Sequence, residues 1–172
     1  QILGTTDHDY VIAIDTDSVY INFGPMVEQL GITDKKRAVE VIDEICQKKF
    51  EPLLAESYDV MAKYMDSYEN KMVMEREVIA DVGVWTAKKR YILNVHNSEG
   101  VQYAKPKLKI MGIEAVKSST PASCRDALKG LLKVMMTAEE RDAQKAIQIF
   151  RDHFYGLDPQ DVAFPRGVSD LR

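Results

Sequence analysis

Two aspartates near the start of the chain, Asp15 and Asp17, have the residue type and the spacing to hold a divalent cation. They lie in an Asp-Thr-Asp-Ser tetrapeptide between an apolar run, residues 10–14, and an alternating run, residues 19–23. This pattern predicts a strand, a tight acidic turn and a second strand. Carboxylates on such a turn lie close together, and Mg²⁺ prefers oxygen ligands. The pair therefore suits a two-metal site for phosphoryl transfer.

Three other interpretations of the acidic turn are a calcium loop, a polar turn without a metal and a glycosyltransferase site. An EF-hand fits poorly, because Val19, Tyr20 and Met26 stand where a calcium loop has an oxygen ligand, Gly and Glu. A polar hairpin turn without a metal is the ordinary interpretation of a lone D-x-D. A metal-dependent glycosyltransferase also uses D-x-D and stays open as an alternative.

Two basic segments are the next candidates for function. One runs from Trp85 to Tyr91 between predicted strands, and the other has lysines at alternate positions, which share one face of an extended chain. Each has an ordinary interpretation, as a solvated turn and as a lysine-protected edge strand. Each also suits the phosphate backbone of a nucleic acid. The candidate contacts are Lys88, Lys89, Arg90, Tyr91, Lys105, Lys107 and Lys109.

The charge distribution supports a nucleic-acid surface more than the net charge does. The 172-residue chain carries −4, which argues against a generic nucleic-acid binder. Residues 86–117 contain seven Lys and Arg against two Glu, so this block is about +5 and the remainder about −9. Such asymmetry predicts one face that meets a polyanion.

The elements that must position these residues form an α+β pattern. Asp34 is the predicted cap of a long helix that runs to about Tyr68, with a kink or break at Pro52. Residues 71–81 alternate and predict a strand that places Glu75 and Glu77 on one face. Further strands are expected at 85–86, 90–95, 101–103 and 108–113, with a hairpin turn at 97–100.

The last third of the chain is predicted to be helical. Thr120-Pro121 reads as an N-cap followed by proline, and residues 137–140 as a capping box for a second helix that ends near Gly156. The tail from Leu157 on is predicted to be a loop or the beginning of a further element. Cys46 and Cys124 lack metal-ligand spacing and are expected to be reduced thiols, while no membrane span or signal peptide is recognised. A cytoplasmic protein is expected.

The order of these motifs resembles a known enzyme family. The Asp-Thr-Asp-Ser turn resembles the second metal-binding motif of family B DNA polymerases, Tyr-Gly-Asp-Thr-Asp-Ser, with Ala13 and Ile14 in place of Tyr-Gly. The Lys88-Lys89-Arg90-Tyr91 segment resembles the family's Lys-Lys-x-Tyr motif, which contacts the primer duplex. Residues 103–121 closely resemble T-even-type bacteriophage polymerases where the palm passes into the thumb. The resemblance covers nearly the whole chain and weakens after Gly156.

The resemblance implies an antiparallel palm sheet with a covering helix, 1–117, followed by a helical thumb base, 118–172. It implies two Mg²⁺ ions, with Asp17 as a direct ligand, Asp15 as an auxiliary ligand and Glu77 as an accessory one. The implied partners are primer–template DNA, a deoxynucleoside triphosphate and the N-terminal remainder of the polymerase, in a host cytoplasm.

The family's other metal carboxylate and its nucleotide-gripping fingers have no counterpart in this sequence. The chain is therefore expected to be a DNA-directed DNA polymerase fragment or split subunit that is inactive alone. A non-catalytic subunit that binds DNA or assembles with a separate N-terminal fragment is the alternative from a different class.

Overall fold

A computed structural model describes residues 9–169 and confirms the α+β class with antiparallel sheets. Strands β1 (Val11–Asp15) and β2 (Ser18–Ile21) form a hairpin. Strands β3 (Val78–Ala87), β4 (Arg90–Ser98) and β5 (Val101–Met111) form a second sheet in the order β3-β4-β5. The helices are α1 (Gly24–Gln29), α2 (Lys35–Ile45), α3 (Glu51–Tyr64), α4 (Ala122–Thr137), α5 (Glu140–Tyr155) and α6 (Pro159–Val162).

The long predicted helix is confirmed at its start and divided in its middle. The Asp34 carboxylate accepts a hydrogen bond from the Arg37 backbone N–H at 2.8 Å, so it caps α2 as predicted. A π-helical turn, Cys46–Phe50, separates α2 from α3. Pro52 explains it, because proline has no N–H and its ring crowds the carbonyl four residues back. The helical segment ends at Tyr64, before the predicted Tyr68.

The three-stranded sheet differs from the prediction in β5 and at the start of β3. Residues 101–111 form one strand that continues through Pro106, where two separate segments were expected. Proline is tolerated there because β5 lies at the end of the strand order and need not donate to a further strand. The predicted turn at 97–100 is confirmed, with positive φ at Glu99 and Gly100 as a type I′ turn requires.

The predicted strand over residues 71–77 is wrong, because β3 begins only at Val78. The backbone N–H of Arg76 donates to a carboxylate oxygen of Glu51 at 3.2 Å, and its guanidinium pairs with Asp43. The segment therefore bonds to side chains of the helical region, and at its end the Glu77 carbonyl accepts from the N–H of Glu99, in the turn after β4. The strand face expected to align Glu75 with Glu77 is absent, and both residues are exposed.

The described residues form two compact units, and every strand of the second sheet has residues in both. One unit comprises the chain up to Asp81 together with Val95–Lys107, and holds the hairpin and helices α1 to α3. The other comprises Val82–Asn94 and the chain from Leu108 on, with helices α4 to α6. The division into 1–117 and 118–172 is a different kind of boundary, placed where the sequence pattern changes from strands to helices and named by resemblance, and it stays a prediction.

Two predicted caps of the C-terminal helices do not form. The capping box at 137–140 is wrong, since Thr137 is the last residue of α4 and its hydroxyl donates to the Lys133 carbonyl at 2.8 Å. The N-cap of α5 is Glu139, which makes no side-chain cap. Pro121, not Thr120, occupies the cap position of α4, and α6 lies within the predicted tail loop.

Both cysteines are free thiols, and burial raises the pKa of Cys46 to about 11. Within residues 9–169, no helix has the length and apolar character needed to cross a bilayer.

Candidate functional site

The acidic turn is built by local hydrogen bonds at the tip of the β1–β2 hairpin. Asp15 pairs with Ser18 in the register, and Thr16, with φ of 53°, lets the chain reverse between them. The Ser18 hydroxyl donates to the Asp15 carbonyl at 3.0 Å, and the Thr16 hydroxyl donates to the Asp15 carboxylate at 3.2 Å. Asp15 is half-buried while Asp17 is exposed, so the two carboxylates occupy different environments.

The donor set of this turn is chemically suited to a hard cation. Both side chains offer carboxylate oxygens, the ligands that Mg²⁺ prefers. In the part of the chain that the structure describes, no three His, Cys, Asp or Glu side chains gather into a possible metal site. Glu77, the predicted accessory ligand, is therefore not clustered with Asp15 and Asp17. Its backbone carbonyl accepts a hydrogen bond from the Glu99 N–H at 2.7 Å.

The same hairpin presents apolar side chains to solvent. Ile14 is 70% exposed, and Val19, its cross-strand partner, is also exposed. Val11 and Ile12 are exposed as well. A two-stranded hairpin is marginal by itself in water and gains stability when a further element covers an apolar face. The hairpin thus carries a surface suited to another protein segment beside its acidic tip.

The structure separates the four residues of the first basic segment into two groups. Lys88 and Lys89 are exposed at the connection between β3 and β4, and we call this connection the Lys88–Lys89 turn. Tyr91 is only 8% exposed, with its ring centroid 6.2 Å from that of Trp85. Arg90 forms an ion pair with Glu114. The two lysines are therefore the most exposed members of this segment, while the Arg90 side chain is 41% exposed beside its Glu114 partner.

The second basic segment lies on β5, where alternate residues share a face as predicted. Lys105 and Lys107 are exposed, and Lys109 is half-buried. The Lys107 ammonium group lies 4.2 Å from the centre of the Tyr103 ring. Tyr103 stands two residues before Lys105 and was not among the predicted contacts. An aromatic residue in phase with alternating lysines is the sequence signal for this cation–π contact.

Comparison with known proteins gives two significant relatives. The chain is 33% identical to the DNA-directed DNA polymerase of Enterobacteria phage T4 over 99% of this chain and 20% of that protein. It is 36% identical to the DNA-directed DNA polymerase of Escherichia phage RB69 over 81% of this chain and 17% of that protein. The chain thus spans about a fifth of the length of these relatives. No protein-family model matches it.

Proposed function

The chain is related to the DNA-directed DNA polymerases of T-even-type phages, and on that premise we propose that it is the C-terminal palm and thumb base of a family B polymerase. The observation that carries the proposal is the similarity itself, which extends over 99% of the chain in one relative. The glycosyltransferase interpretation of the acidic turn is not proposed, since both relatives are DNA polymerases.

In this proposal the acidic turn supplies part of a catalytic metal site. Asp17 is a direct Mg²⁺ ligand and Asp15 an auxiliary one, while Glu77, which does not cluster with them, is proposed only for a separate accessory ion. Bound Mg²⁺ supplies activation of the primer hydroxyl and charge stabilisation on the pyrophosphate leaving group. The exposure of Asp17 and the hydrogen-bonded carboxylate of Asp15 support these different roles. The remaining metal ligands and the deoxynucleotide site belong to the rest of the polymerase.

The basic residues hold the primer duplex. Lys88 and Lys89 donate to minor-groove acceptors and phosphates, which every base pair presents, so they bind without reading sequence. Lys105, Lys107 and Lys109 follow the phosphate backbone. Tyr91 acts from within the protein by shaping the strand that presents the two lysines, and the partly exposed Arg90 lies beside them.

The chain alone should not extend a primer, and adding the complementary N-terminal part of a polymerase should restore extension. A two-metal site needs ligands that hold both ions, and this chain offers two carboxylates on one turn. The apolar surface of the hairpin supports docking of the missing part beside that turn. The measurement is template-dependent primer extension with Mg²⁺, by the chain alone and by the mixture.

Each outcome of this assay separates the two candidate roles. Extension by the mixture alone supports the split polymerase. Extension by the chain alone, in a preparation where Asp17→Asn removes it, would contradict the fragment proposal. A stable mixture that binds duplex but never extends it would favour the non-catalytic assembly subunit.

Duplex binding should depend steeply on salt, and Lys89→Ala should lower that dependence. Each lost phosphate contact reduces the slope of log K against log salt by roughly 0.9. The measurement is fluorescence anisotropy of a labelled primer–template at several salt concentrations, with different duplex sequences. Lys36→Ala, which removes an exposed lysine on α2, is the control for a general change of charge. A loss confined to particular sequences, or equal effects of both variants, would rule out the primer-duplex role.

A further inference from the structure

The Lys88–Lys89 turn adopts a backbone conformation that ordinary residues avoid. Lys89 has φ of 61°, in the left-handed region where a side chain is strained. Strain of this kind persists only where the surrounding structure determines the conformation. Residues just after β5, within the same compact unit, lie against this turn.

Gly112 makes the closest of these contacts. It has φ of 68°, and a Cβ atom added at this position would lie 2.3 Å from the Lys89 carbonyl oxygen and 3.0 Å from Arg90 Cγ. Only glycine adopts this conformation readily and allows the two backbone segments to approach so closely. The identity of residue 112 is therefore tied to the position of the Lys89 backbone.

An ion pair supports the turn beside Gly112. Arg90 Nη2 donates to both carboxylate oxygens of Glu114, at 2.8 and 2.6 Å. Lys117 Nζ lies 3.0 Å from Glu114 Oε1, and its hydrogen bond lowers the pKa of that carboxyl, with Arg90 adding to the effect. Glu114 thus stays ionised and paired through the neutral pH range. Since Arg90 directly follows Lys89, this bidentate but partly exposed pair restrains the side chain next to the two lysines.

We propose that Gly112 and the Arg90–Glu114 ion pair are positioning elements, which hold the Lys88–Lys89 turn in the conformation that binds the primer duplex. The inference rests on the proposed function and extends it to residues that do not touch DNA. Two lysines on a preset backbone lose less freedom on binding than two on a mobile loop. The sequence feature involved is a Gly two residues before Glu114, which local patterns do not connect to residue 89.

Gly112→Ala should weaken primer–template binding by the 172-residue chain roughly tenfold at 0.1 M salt, the effect of losing one phosphate contact. Gly100→Ala is the matched control. Gly100 also has positive φ, at 83°, but an added Cβ there meets no atom within 4 Å. Both variants carry the strain of alanine at positive φ, and they differ in the steric clash with the Lys89 carbonyl oxygen, which Gly112→Ala alone creates. Gly100→Ala should leave the affinity within about twofold.

Two further measurements identify the route of the effect. In a Lys88→Ala/Lys89→Ala background, Gly112→Ala should cause no additional loss, because its action passes through those lysines. Glu114→Gln removes a negative charge near a basic surface, so simple electrostatics expects tighter duplex binding. If the ion pair positions the lysines, Glu114→Gln should instead bind the duplex more weakly and with a smaller salt slope. The direction of the change in duplex affinity distinguishes the two explanations. This test does not depend on whether Gly112→Ala folds.

The outcomes separate this inference from the proposed function. If Lys88→Ala/Lys89→Ala leaves duplex binding unchanged, the proposed DNA role of the turn fails. If that double variant weakens binding while Gly112→Ala matches Gly100→Ala, or Glu114→Gln tightens binding, the positioning role is overturned and the DNA role stands. Thermal unfolding monitored by circular dichroism confirms which variants are folded at the assay temperature.

Discussion

Asp17→Asn should reduce primer extension by the complemented polymerase roughly a thousandfold or more, which corresponds to about 4 kcal/mol of transition-state stabilisation. Asparagine keeps the size of the side chain and loses the negative charge with which a carboxylate holds Mg²⁺. Asp17 is exposed at the hairpin tip, so the substitution leaves the surrounding hydrogen bonds intact. The measurement is single-turnover primer extension over a range of Mg²⁺ concentrations.

Three comparisons make this result specific. Duplex binding by Asp17→Asn should stay within about twofold of the unchanged protein, because phosphate contacts come from lysines. Asp15→Asn should cause a smaller loss, as expected of an auxiliary ligand. Asp126→Asn, at an exposed site on α4, should have no effect. Near-normal turnover by Asp17→Asn would show that the catalytic assignment is wrong.

Asp43→Ala should lower the free energy of unfolding by about 3 kcal/mol, because it leaves a buried guanidinium without its carboxylate. The Arg76 side chain is only 9% exposed and Asp43 is 21% exposed, so solvent replaces the lost partner poorly. This ion pair also attaches residues 71–77, which precede β3, to helix α2. Urea denaturation of the unchanged protein and of Asp43→Ala measures the difference in the free energy of unfolding.

Glu40→Ala on the same helix is the matched control. It removes the partner of Arg37 from an ion pair whose side chains are 62% and 61% exposed. Exposed helical pairs at i,i+3 contribute about 0.2–0.5 kcal/mol, so the urea midpoint should barely move. Equal midpoint shifts for the two variants would contradict the importance assigned to the buried Arg76 pair.

The features that the sequence alone predicts correctly depend on residues close together in the chain. Four such features follow from local sterics and hydrogen bonding: the acidic hairpin turn, the Asp34 cap of α2, the interruption near Pro52 and the turn at residues 97–100. The alternation of lysines on β5 is local in the same way. The family relationship, first indicated by motif order, is supported by both polymerase relatives.

Some local patterns failed because a competing bond was available. The Thr137 hydroxyl donates to a carbonyl one turn back, and so does not cap the next helix. Residues 71–77 alternate like a strand, but a strand also needs a neighbour with which to exchange backbone hydrogen bonds. Arg76 instead bonds to Glu51 and Asp43, which lie 25 and 33 residues earlier in the chain.

The sequence by itself determined where the acidic turn, the lysine-bearing strand and the Asp34 cap form, since these elements depend on neighbours within a few positions. Only the tertiary structure decided which of the predicted contacts face solvent. Lys88 and Lys89 are exposed, while Arg90 pairs with Glu114 and Tyr91 is buried near Trp85. The physical reason is that burial and ion pairing depend on residues such as Gly112 and Glu114, which come near residues 89 and 90 only when the chain has folded.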